Sequence, residues 1–190
     1  MRPREADKVK LFVSVFTNEP RLLTEVLKRL TERFGPLDML SEPFDFTDTD
    51  YYAKEFGTGL KRRICSFERL IEQDAIAPIK IFTNGIEDNL LAANGRRTVN
   101  IDPGYVALPR FVLASCKEFS HRLYAGSGVY ADLTLRYVGH GFQTLPWTYP
   151  DYKDGRILSL ITQMRERYAL QIGRGGRKAL FKDEDAPKAG

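Results

Sequence analysis

Lys117, His121 and Arg122 fall within one short stretch, SCKEFSHRLY, and are the residues of this chain best suited to meet an anion. Arg offers a planar fork of donors that matches phosphate or carboxylate, and Lys offers a point charge. His exchanges a proton near neutral pH. Asn100, Asp102 and Asp132 lie in strand-like text on either side. They supply acceptors that orient a ligand, hold a divalent cation or move a proton. His121, Asp102 and Asp132 are therefore the candidate catalytic groups, and Lys117, Arg122 and Asn100 the candidate ligand contacts. Further on, LPWTYPDY (Leu145–Tyr152) holds the single Trp of the chain. Trp147 and Tyr149 offer flat surfaces on a proline-stiffened loop, fit to cover a ring or to pack as a lid. Together these residues point to a small anionic ligand containing phosphate or a nucleotide.

Each residue also has an ordinary structural use. Asp102 precedes Pro103-Gly104, and an aspartate before such a turn accepts local backbone N–H groups. In Gly128–Val138, Asp132 alternates with Val129, Ala131, Leu133 and Leu135, as on the wet side of an antiparallel strand. Lys80, Asn84 and Glu87 share one face of an expected helix, either as a solvated Lys–Glu pair or as the wall of a cleft. Glu87 and Asp132 are the carboxylates that would join Asn100 and Asp102 around a hard cation.

Several chemistries lose support. No segment has the spacing of the phosphate-binding G-x-x-x-x-G-K-[ST] loop, and no G-x-G-x-x-G follows a strand. H-E-x-x-H and G-x-S-x-G are also missing. The net charge is +4, but residues 1–10 and 173–190 each carry +2, so the body between them is neutral. Nucleic-acid binding is thus not demanded by charge. Cys65 and Cys116 stand in apolar text without ligand partners nearby, which fits reduced thiols and a cytoplasmic setting. No apolar run approaches the ~20 residues of a membrane span.

The elements that must position these residues can be read in order. Lys10–Phe16 is a β-branched, apolar strand, and Thr17 or Asn18 can cap the helix that follows, which carries Leu23, Val26, Leu27, Leu30 and Phe34 on one side. Gly35-Pro36 ends it. Leu37–Phe46 is extended, 47–50 turns, and Leu60–Glu68 is a strand that becomes helical near Leu70. Residues 79–93 form a helix, and Arg97–Ile101 a strand closed by the Asp102-Pro103-Gly104 turn. Phe111–Phe119, Arg122–Tyr124 and Gly128–Val138 are further strands, and Asp154 caps a terminal helix. The fold class is α+β: a mixed or antiparallel sheet with a ferredoxin-like βαββαβ core, extra C-terminal strands and helices on one face. One domain spans 10–172, and 173–190 is a flexible basic tail.

Four segments resemble a bacterial family known as a domain of unknown function, DUF4416. They are TDYYAKEFG (Thr49–Gly57), IKIFTNGIE (Ile79–Glu87), VNIDPGY with LASCKEFSHRLY (Val99–Tyr124), and LPWTYPDY (Leu145–Tyr152). The resemblance runs from about Lys10 into the final helix. It implies a bacterial cytoplasmic protein whose domain fills nearly the whole chain. Members are sometimes labelled GTP-binding, which in this chain requires a site other than a Walker loop. Two other readings stand beside ligand binding: an RNA-associated module using a sheet face, and a protein-interaction domain using the 145–152 loop.

Overall fold

The computed structural model describes residues 2–46 and 55–173. The expected turn at 47–50, the Tyr51-Tyr52 pair and nearly all of the expected basic tail lie outside the described residues.

The fold is built around β1 (Val9–Thr17), every residue of which is buried. Leu11, Val13 and Val15 point to one side of the sheet, and Phe12 and Phe16 to the other. A strand apolar on both sides must be covered on both sides. α1 (Pro20–Phe34) covers the first side with Leu23, Val26, Leu27, Leu30 and Phe34. α2 (Ile76–Asp88) joins it there through Ile79 and Ile86. α3 (Gly155–Gln171) covers the second side with Ile157, Ile161 and Met164. The expectation of helices on one face is thus corrected: Phe12, Phe111 and Leu135 form a second apolar surface that only a third helix can close. Asp154 caps α3 as expected, accepting from the N–H groups of Arg156 (2.8 Å) and Ile157 (3.3 Å).

The strands are β2 (Leu37–Leu40), β3 (Phe44–Asp45), β4 (Lys61–Ile71), β5 (Val99–Val106), β6 (Arg110–Ser115), β7 (Arg122–Gly126), β8 (Val129–Val138) and β9 (Gly141–Thr144). With β1 they form one nine-stranded sheet in the order β2-β4-β1-β5-β6-β8-β7, with β3 beside β4 and β9 beside β8. Every pairing is antiparallel. β4 stays a strand through Ile71 instead of turning helical near Leu70, and α2 starts at Ile76 and ends at Asp88, earlier at both ends than the expected 79–93.

The largest correction concerns Asp102-Pro103-Gly104. It is not a turn; it lies inside β5, where Ser14 of β1 faces Asp102 and Val13 faces Pro103. Alternate residues of β5 direct their backbone groups away from β1, and Ile101 is one of them. Pro103 shares that direction, so its missing N–H falls on the side where β6 would pair. β6 indeed meets β5 only at Gly104–Val106. At Gly104 the two strands approach closely: a Cβ there would collide with the Val112 carbonyl oxygen. Beyond that pinch the strands part, leaving a split between the first half of β5 and the end of β6.

A second irregularity lies in β8. Phe111 pairs with Leu135 but Val112 pairs with Leu133, so the register slips around Thr134. Leu135 therefore joins the α3-side core, not the side of Ala131 and Leu133 that strict alternation predicts.

Candidate functional site

No strand pairs with the outer side of the first half of β5 among the described residues, and α2 supplies what a strand would have supplied. Glu87 Oε1 accepts the Ile101 N–H at 2.6 Å. Lys80 Nζ donates to the Ile101 carbonyl at 2.9 Å and reaches on to Asp102 Oδ1 at 3.3 Å. Both side chains are buried. The helix face of Lys80, Asn84 and Glu87 is therefore the wall of a polar split rather than a solvated face. Asn84 Nδ2 lies 3.4 Å from Cys116 Sγ on the far side. Cys116 is exposed just past the end of β6, unlike the buried Cys65, whose thiol burial pushes up to about 12.

Asp102 accepts from Asn100 Nδ2 at 2.6 Å as well as from Lys80. Asn100 Oδ1 in turn accepts from Arg97 Nη1 at 3.3 Å. Arg97 grips Glu55 with two bonds, 2.6 and 2.8 Å, and touches Glu87 at 3.3 Å. The two glutamates respond in opposite ways. The bond from Arg97 holds Glu55 below the usual carboxylate range, while burial holds Glu87 above it despite the nearby Lys80 charge. Lys117, on the loop after β6, adds its positive charge to those acting on Glu55.

The second half of the site sits on β7 and β8. Asp132 is buried, not solvated as strand alternation suggests. Its Oδ2 accepts from Arg122 Nε at 2.8 Å and faces His121 Nε2 at 3.3 Å. Its Oδ1 lies 3.2 Å from Thr134 Oγ1. Arg122 is already occupied: it also donates to Ser115 Oγ at 3.0 Å, to the Lys117 carbonyl at 2.8 Å and to the Tyr149 hydroxyl. Arg122 thus clasps the 116–121 loop, β8 and the 145–152 loop together.

Trp147 and Thr148 close the slip in β8. Neither β7 nor β9 pairs with β8 at Leu133 and Thr134. Trp147 Nε1 donates to the Leu133 carbonyl at 2.8 Å, and Thr148 Oγ1 to the Thr134 carbonyl at 2.6 Å. So anchored, the Trp147 ring stacks on His121, centroids 5.0 Å apart and planes within 13°. Phe119 meets His121 from another direction at 5.3 Å. Tyr149 links the two halves: burial, with the carboxylates of Asp132 and Asp102, raises its phenol above the ordinary value against the pull of Arg122.

The contacts form two networks: Asn100 and Asp102 with Lys80, Glu87, Arg97 and Glu55 on the β5 side, and His121, Arg122, Asp132, Trp147, Tyr149 and Phe119 on the β7–β8 side. The Tyr149 phenol feels the carboxylates of both, Asp132 and Asp102. For Arg97 and Glu55 the sequence carried no spacing signal, because the pair spans two separate connections. Asp102, Asp132 and Glu87 do not assemble a cation site: among the described residues no three His, Cys, Asp or Glu side chains are placed to hold a metal ion. Deeper on the α3 side, Ser14 Oγ and the Tyr152 hydroxyl are buried and face each other. Arg62 Nη1 approaches Asp151 Oδ2 to 2.8 Å, though not in hydrogen-bond alignment. The grooves beside α1 and α2, lined by Arg33 and Phe82, lie away from these residues and carry no comparable polar network. No helix among the described residues is long and apolar enough to cross a membrane.

The family model for a domain of unknown function, DUF4416, matches residues 7–168. No curated protein and no solved structure matches the chain.

Proposed function

The chain belongs to the DUF4416 family, and from that premise we propose that it binds a small anionic ligand, phosphate- or nucleotide-containing, at the split between β5 and β6. The observation that carries this reading is the His121–Asp132 pair beneath Trp147. A buried carboxylate facing Nε2 favours the tautomer with its proton there. That leaves Nδ1 as the lone-pair acceptor of the ring. The Trp147 stack restricts the ring to one orientation. In this reading His121 takes or shares a proton with the ligand, and Asp132 and Arg122 position it. Lys117 meets the anionic group, Asn100 and Asp102 orient it, and Trp147, Tyr149 and Phe119 flank a ring.

Thermal-shift and calorimetric titration with inorganic phosphate and nucleoside phosphates, with and without magnesium, tests the reading. A saturable shift in the wild type that His121→Gln and Trp147→Ala weaken at least about tenfold supports it. No binding by the wild type, or binding indifferent to both variants, refutes it.

We also infer that β1, α1, β2, β4, α2 and β5 form a ferredoxin-like βαββαβ core. The strand order β2-β4-β1-β5 and the placement of α1 and α2 on one side support this. The same placement disfavours RNA binding through the sheet, because α3 occupies the face that such a module would present.

A further inference from the structure

The two edges of the sheet are treated differently. At the β2–β3 edge, Pro36 and Pro43 interrupt the backbone, and Glu42 and Asp45 stand exposed. Prolines and charges there block pairing with another strand. The other edge has no such protection. β7 ends the sheet, and among the described residues no strand pairs with its outer side. Leu123 and Tyr124 are 76% and 66% exposed, and Phe119 beside them is 63% exposed. From Leu123 to Val129 the chain carries no charge and no proline.

We propose that β7 pairs antiparallel with β7 of a second copy of this chain, joining two sheets across a two-fold axis. A second copy is the occupant the residues favour. Antiparallel pairing about Tyr124 sets Leu123 against Ala125 and Tyr124 against itself, so an uncharged segment meets an uncharged segment with no repulsion. Arg122, the one charge in β7, is turned inward onto Asp132 and does not oppose it. Leu123, Tyr124 and Phe119 each leave on the order of 100–150 Å² in water. Doubled by the two-fold and extended by the backbone ladder, this reaches the roughly 1,000 Å² of a specific interface. Because the axis stands normal to the sheet, both splits open on the same face. Their His121 residues are separated by six strand steps, about 20 Å.

Sedimentation velocity of the full chain across a dilution series tests this. A reversible monomer–dimer equilibrium is expected, weakened about tenfold or more by Leu123→Lys. Circular dichroism of that variant confirms that it folds. In a Cys116→Ser background, Tyr124→Cys forms a covalent dimer on mild oxidation, since the two β-carbons face each other across the axis. A wild type that stays monomeric throughout overturns the proposal, as does a dimer insensitive to Leu123→Lys or a Tyr124→Cys dimer that does not cross-link.

Discussion

Replacing Lys80 by Met removes the ammonium that stands in for a strand at the open edge of β5. Met preserves the unbranched stem, so packing changes little. The Ile101 carbonyl, 2.9 Å from Nζ, is left buried without its donor, a loss of about 1–3 kcal/mol. Buried Glu87 and half-buried Asp102 lose a compensating charge, which brings the total to about 3–5 kcal/mol, as for a buried pair broken on one side. Against a typical stability of about 5–15 kcal/mol this is a large fraction. At about 2–4 °C per kcal/mol for a chain of this size, the midpoint falls by roughly 6–20 °C. Urea denaturation with parallel thermal melts at neutral pH measures it. Lys28→Met, which breaks an exposed pair with Glu32, is the control and costs no more than about 0.5 kcal/mol. If Lys80→Met costs as little as the control, side chains do not hold the β5 edge and the account of the split is wrong.

Two glycines are expected to respond to alanine with opposite signs. Gly104→Ala drives a Cβ against the Val112 carbonyl and destabilises by about 1–3 kcal/mol, while Gly85→Ala, in α2 with nothing within 4 Å, stabilises by about 0.5–1 kcal/mol; equilibrium unfolding of each compares them. Asp132→Ala leaves Arg122 as an uncompensated buried charge and costs about 3–5 kcal/mol, with the 145–152 loop loosened, readable in Trp147 fluorescence. The pH dependence of stability divides between the two glutamates on Arg97. Glu87, whose folded pKa is raised, binds its proton more tightly when folded, so its contribution is full below its ordinary 4.5 and is lost as pH rises through the raised value. Glu55, whose folded pKa is lowered, contributes above its ordinary 4.5 and loses that contribution as pH falls through the lowered value. Urea midpoints against pH for Glu87→Gln should lack the decline on the alkaline side, and those for Glu55→Gln the decline on the acid side.

Local physics made part of this legible in the sequence. β1 and α1 follow from periodicity and the Asp154 cap from capping chemistry, whereas neither Thr17 nor Asn18 caps α1, whose N-cap is Glu19 with no side-chain cap bond. The cluster of Lys117, His121, Arg122 and Asp132 was visible because one hairpin carries it. The rest depends on distant strands. Asp102-Pro103-Gly104 reads as a turn in isolation; only β1, opposite Asp102, shows that it is extended, and only the divergence of β6 makes the proline tolerable. Asp132 reads as solvated because its alternation is ordinary, and the slip at Thr134 with the cover of Trp147 and Thr148 is what buries it. α3 on the second face was hidden because the surface it covers joins Phe12 to Phe111 and Leu135, which come from strands far apart in the chain. Arg97 with Glu55 left no local trace at all.

The central position of β1 has a consequence in time. During synthesis β1 leaves the ribosome well before its neighbours: Val15 pairs with Arg63 and with Ile101. At about 5–20 residues per second these partners emerge several seconds after it. α1, which follows at once, can shield Leu11, Val13 and Val15. Phe12 has no such early cover, because the helix that packs against it is α3, residues 155–171. Nascent chains stalled before α3 should therefore expose an apolar sheet face and recruit holding chaperones, and release should coincide with the appearance of Ile157, Ile161 and Met164.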